Sequence, residues 1–78
     1  MDEIDLRIFD FIELLKQTKV VTSDNQFASE IGITRQKLSG IRNREDRHFT
    51  VEDIHRICKR FKGNPSYFYG FDNKKILI

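Results

Sequence analysis

Between Asp24 and Asn43, two short runs of helical periodicity are separated only by Gly32 and Ile33. A junction that brief makes the two helices cross at close range, which places demands on particular positions. The first helix needs a small residue where the second packs against it, and the turn needs a residue that tolerates positive φ. Ala28 and Gly32 meet those needs. The wedge between the helices must be apolar, and Phe27, Ile31, Ile33, Leu38 and Ile41 fill it at helical spacing. The ends are marked as well. Ser23 followed three residues later by Gln26 has the form of a capping box, Gly32 suits a left-handed helix end, and Thr34 is a natural N-cap for the second helix of the pair.

The rest of the chain reads as further short helices around this pair. Ile4, Ile8, Phe11, Ile12 and Leu15 give a first helix ending near Lys19, with Arg7, Asp10, Glu13 and Lys16 on its polar side. The β-branched run Val20, Val21, Thr22 then breaks the period. Gly40 weakens the helix begun at Thr34 by about 1 kcal/mol relative to Ala. Asn43 ends that helix, and because Arg44 rather than a glycine follows, Asn43 is expected to take the left-handed cap conformation. Arg44 to His48 form a polar loop. Thr50 caps a fourth helix whose inward face is Val51, Ile54, Ile57, Cys58 and Phe61, and Gly63 stops it. Asn64 as cap and Pro65 at the first helical position open a short fifth helix that carries Tyr67, Phe68 and Phe71 into the core. The predicted class is all-α, one compact five-helix domain over 1–78, with strands plausible only at the extreme C-terminus.

Seventy-eight residues leave room for one core and no separate ligand-sensing domain. Seven Phe and two Tyr supply bulky material to close that core without disulfides, which the lone Cys58 rules out within one chain. A single thiol fits a reducing compartment, and the cytoplasm is the expected location. The acidic start, Met1-Asp2-Glu3-Ile4-Asp5, lacks the basic and apolar segments of a secretory signal. No segment approaches the roughly 18 apolar residues of a membrane span. The charge is polarised: residues 1–33 carry three Lys/Arg against seven Asp/Glu, and residues 34–78 carry eleven against five. Such asymmetry is an electrostatic footprint for a polyanion, although a solvated face produces it too. No nucleophile with a base, carboxylate pair or phosphate-binding glycine loop has spacing suited to catalysis, so an enzyme is not expected.

In this combination, the stretch from Asp24 to Asn43 resembles the helix-turn-helix of the phage repressor and Cro family, also called the XRE family. The resemblance extends to the long first helix, the Thr-capped fourth helix and the ending Asn64-Pro65-Ser66-Tyr67-Phe68-Tyr69-Gly70. It implies a lambda-repressor-like domain that binds double-stranded DNA, with the helix from Thr34 in the major groove and the following loop along the phosphates. On that docking, base edges fall to Thr34, Arg35, Gln36 and Ser39, with Arg35 suited to guanine and Gln36 to adenine. Phosphates fall to Lys37, Arg42, Asn43, Arg44 and Arg47, and to Ser23, Asn25 and Gln26 at the start of the preceding helix. The implied role is a transcriptional regulator, a repressor of phage or mobile-element type. It would bind two half-sites as a homodimer, with Ile76 to Ile78 as candidate dimer contacts. Asp24 stands where relatives often carry a neutral polar residue. Its carboxylate either repels a phosphate or favours the helix N-terminus.

Other readings of these residues remain. Arg44 and Arg47 have acidic neighbours in Glu45 and Asp46 and could form a self-neutralising loop. His55 and Cys58 lie three apart on one helix, but two ligands make no metal site, and neither a metal nor a cofactor is expected. His48 reads as an ordinary loop histidine ahead of a pH sensor. Tyr67, Phe68, Tyr69 and Phe71 read as core closure ahead of a base-stacking platform. The apolar ending Ile76-Leu77-Ile78 packs, pairs, or continues in a longer parent. The competing function is an antitoxin or adaptor that uses the same fold to bind a protein partner.

Overall fold

The computed structural model describes residues 1–44 and 46–77. Its elements run α1 (Glu3–Gln17), α2 (Asp24–Ile31), α3 (Arg35–Asn43), α4 (Val51–Phe61) and α5 (Pro65–Phe68), so the all-α class and the five-helix count hold among the described residues. No helix is long and apolar enough to cross a membrane.

Each helix begins where a short polar side chain can accept a free backbone N–H. Asp2, Ser23, Thr34, Thr50 and Asn64 cap α1 to α5, accepting from Asp5, Gln26, Lys37, Asp53 and Ser66 respectively. The expected capping box at Ser23 forms only in part. The Gln26 side chain accepts instead from the Thr22 N–H and hydroxyl, at 2.7 and 2.9 Å, one residue before the cap. The reciprocal box occurs at Thr50, with Asp53 as its partner.

The core joins the inner faces of α1 to α5. Phe27 of α2 stacks on Phe61 of α4 at 5.5 Å, and Phe11 of α1 meets Phe68 of α5 edge-on at 5.3 Å. Three core residues, Phe9, Val21 and Phe49, escaped the sequence reading. Phe9 broadens the face of α1, and Phe49, from the loop before α4, packs on it at 5.4 Å. Val51 was expected inside but is 76% exposed, because it sits at the first position of α4, ahead of the turn that reaches the core. Phe71 was also expected inside and is 86% exposed. Gly70, at φ +86, turns the chain outward just before it.

α1 stops at Gln17, and Lys19 takes a left-handed conformation, so Val21 returns to the core while Val20 stays exposed. α4 ends through Lys62, at φ +58, rather than through Gly63. Gly63 pairs instead with Ile76 in an antiparallel bridge, flanked by bonds from Asn64 N–H to Lys75 O and from Leu77 N–H to Lys62 O, both 2.9 Å. Ile76 therefore packs, half-buried, against its own core, the first of the readings open to the apolar ending. Leu77 remains exposed, and Ile78 lies outside the described residues.

Candidate nucleic-acid interface

Gly32, at φ +76, ends α2 in the left-handed conformation expected of it, and Ile33 N–H returns to Ala28 O at 3.0 Å. This turn brings α3 across α2 with Ala28 buried at the contact. Leu38 and Ile41 then anchor α3 inward, leaving Thr34, Arg35, Gln36, Ser39, Arg42 and Asn43 on exposed sides.

The exposed residues fall into two groups. Thr34, Gln36 and Ser39 share one open concavity with Asn43, Arg44 and Arg47. Arg35 turns the other way, into a second concavity with Ser23 and Asn25 at the start of α2. The four base-contact candidates are thus divided by the edge of the helix, with Arg35 beside the α2 group. Gly40 has a use that its helix propensity hides. The Arg47 side chain lies across it, so close that a Cβ on Gly40 would stand 3.0 Å from Arg47 Cδ. The Arg47 side chain is therefore laid back onto the helix.

Two cations of α3 are engaged within the domain. Lys37 Nζ stands 2.8 Å from Oδ2 of Asp53, a residue only 2% exposed that also accepts from Thr50 N–H. Burial pushes the Asp53 carboxyl up, but Lys37 and the cap bonds outweigh it and hold the pKa below the usual range. Arg42 bonds Asp24 at 2.9 Å and lies over the Phe9 ring at 4.3 Å. Asp24 also meets Lys16 at 2.6 Å, and these two cations overcome its partial desolvation and lower its pKa. Asp24 thus joins α1, α2 and α3, with its charge answered from both sides.

Asn43 does not take the left-handed cap conformation. The chain leaves α3 extended at Arg44, at φ −127, whose N–H still bonds Gly40 O at 2.9 Å. With no reversal at that point, no left-handed residue is required, and the Asn43 side chain donates to Ser39 Oγ at 3.2 Å. Arg44 pairs with Asp46 at 3.3 Å, in part the self-neutralising loop considered above; Glu45 lies outside the described residues.

A further cluster lies beside this candidate interface. His48 Nδ1 sits 2.8 Å from Asp5 Oδ2 and 3.2 Å from Asp2 Oδ2, and the other Asp5 oxygen accepts from Phe49 N–H at 3.1 Å. Asp5 is 1% exposed. The signal for it was present in the sequence: Asp5 stands three residues before Ile8 on the apolar face of α1, where a carboxylate needs partners. Its partners, 43 and 44 residues away, were not readable there. Cys58 is half-buried against the core, and burial pushes its thiol up.

Comparison with family models, curated proteins and solved structures returned no match, so the resemblance to the repressor and Cro family rests on the chain's own residues.

Proposed function

We propose that this domain binds double-stranded DNA sequence-specifically as a transcriptional regulator of the phage repressor and Cro type, with α3 as the reading helix. One observation carries the reading. The outer side of α3 gathers the hydrogen-bonding groups of Thr34, Gln36 and Ser39 with Arg44 and Arg47, while Lys37 and Arg42 clamp its flanks to α4 and α2. A helix that reads base edges needs such a side: polar groups short enough to discriminate, cations at the margin for phosphate, and a rigid mounting. Arg35 reaches the same duplex from the α2 side, where Ser23 and Asn25 offer a phosphate site. The family docking adds a homodimer on two half-sites about one helical turn apart, acting as a repressor by occupying an operator.

Reading and holding leave different signatures. Gln36→Ala and Arg35→Ala are each expected to cost about 1 to 3 kcal/mol on a duplex selected from a random pool, and much less on the pool itself. Arg47→Ala is expected to weaken both alike and to lower the salt slope by roughly 0.9. Titration of both DNAs over a salt series, after circular dichroism of each variant, measures the difference. Wild-type protein that binds neither DNA at low salt would overturn the reading in favour of a protein-binding antitoxin or adaptor.

A further inference from the structure

We infer that His48 is a positioning residue for the DNA-binding loop: clamped between the Asp2 and Asp5 carboxylates, it holds Arg47 in place, and its grip depends on its own proton, so DNA affinity rises as pH falls. The inference deepens the DNA-binding reading and rests on it.

The geometry asks for a cation at this point. Asp2 uses Oδ1 to cap α1 and turns Oδ2 toward His48, while Asp5 uses Oδ1 for Phe49 N–H and turns Oδ2 toward the same ring nitrogen. Two carboxylates therefore face one Nδ1. A neutral imidazole protonated at Nε2 presents a lone pair to both, which is repulsive. One protonated at Nδ1 offers a single N–H and no charge. Only the imidazolium places a hydrogen there and supplies a positive charge to both acids. The proton comes from solvent, to which half of the His48 side chain is open. The bond to Asp5 raises the His48 pKa above its usual value against some desolvation; Asp2 adds to the rise, and the charge of the N-terminal ammonium opposes it.

The clamp matters because of what lies on either side of it in the chain. Phe49 is buried on Phe9 with its N–H on Asp5, and Arg47 lies across Gly40 of α3. His48 links these two anchors, one in the core and one on the reading helix. Since its pKa is raised by the clamp, the stabilisation is complete well below that pKa and is lost as pH rises through it. Above it, Asp2 and Asp5 confront each other without the imidazolium, and the loop is released from α1 on the side that carries Arg47.

The test is duplex binding at about pH 6 and about pH 8, at one ionic strength and with a chelator present so that no divalent ion replaces the proton. The probes are a duplex recovered by selection and the random pool. Wild-type protein is expected to bind the selected duplex about fivefold more tightly at the lower pH. His48→Gln keeps a donor for Asp5 without titrating, and Asp5→Asn keeps an acceptor for Phe49 N–H without the charge. Each should abolish most of the pH effect, and the His48 ring, followed by NMR, should titrate lower in Asp5→Asn. His55→Gln should leave the pH effect intact. Should Asp5→Asn fail to fold, Asp2→Asn with His48→Gln carries the test. A wild-type protein whose binding is flat across this range overturns the inference and leaves the DNA reading standing. So does Asp5→Asn with the full wild-type dependence, because His48 would then be touching phosphate directly. Absence of any duplex binding at either pH overturns both.

Discussion

Gly32 follows α2 directly and Gly63 follows α4 by one residue more, and both look in the sequence like the same punctuation. At Gly32 the backbone is left-handed and the space is open, since a Cβ there would meet nothing nearer than Arg56 Nη1 at 3.9 Å. At Gly63 the conditions are reversed. The left-handed residue is its neighbour Lys62, and a Cβ on Gly63 would stand 3.0 and 3.1 Å from two atoms of Phe68 and 3.4 Å from Phe11. Gly32 is needed for its conformation and Gly63 for its lack of volume. The first sets the angle at which α3 leaves α2. The second lets α5 close on α1 with the C-terminal segment beside it.

On that division, the two positions respond oppositely to the same substitutions. Gly63→Ala is expected to have the largest effect, about 1 to 3 kcal/mol, because both rings it meets are fully buried and have nowhere to retreat. Thermal unfolding should report this as a loss of roughly 4 to 8 °C for each kcal/mol. Gly63→Asn should lose more. Gly32→Ala should cost about 1 kcal/mol, the penalty of a Cβ in left-handed backbone, and Gly32→Asn should recover part of it because asparagine tolerates that region. Equal losses for Ala and Asn at Gly32 would mean that crowding governs there too. The smallest expected effect is a gain: Lys62→Gly relieves the left-handed strain at φ +58 but adds freedom to the unfolded chain, for a net of about 0.5 kcal/mol. A destabilised Lys62→Gly would show that the lysine side chain has a packing role outweighing its backbone strain.

The same contrast describes how far the fold was legible. Five helices, four of their caps and the Gly32 turn followed from relations spanning three or four residues, which the sequence displays directly. Val51 and Phe71 were misassigned because an apolar residue at the first position of a helix, or just past its last turn, shares the periodicity without facing the core. Gly63 was misassigned because close approach by Phe68 and Phe11 is a property of helix packing and leaves no local trace. In the candidate interface, the exposed residues of α3 were readable from the buried ones they alternate with. Their partition into two groups, and the capture of Lys37 by Asp53 and Arg42 by Asp24, were not.

The residue order was thus enough for the five helices, four of their caps, most of their inward residues and the left-handed turn between α2 and α3. Those features depend on backbone sterics and on capping side chains that act within one turn, where neighbours in sequence are neighbours in space. The ion pairs that mount α3, the Asp2, Asp5 and His48 cluster, and the packing of Ile76 on its own chain needed the assembled molecule. Each joins segments whose distance depends on how the helices cross, and crossing is settled by many weak packing contacts summed over the whole core. A charge four residues from its partner can be found by counting. A charge facing Asp5 from 43 residues away is found only once the helices have been placed.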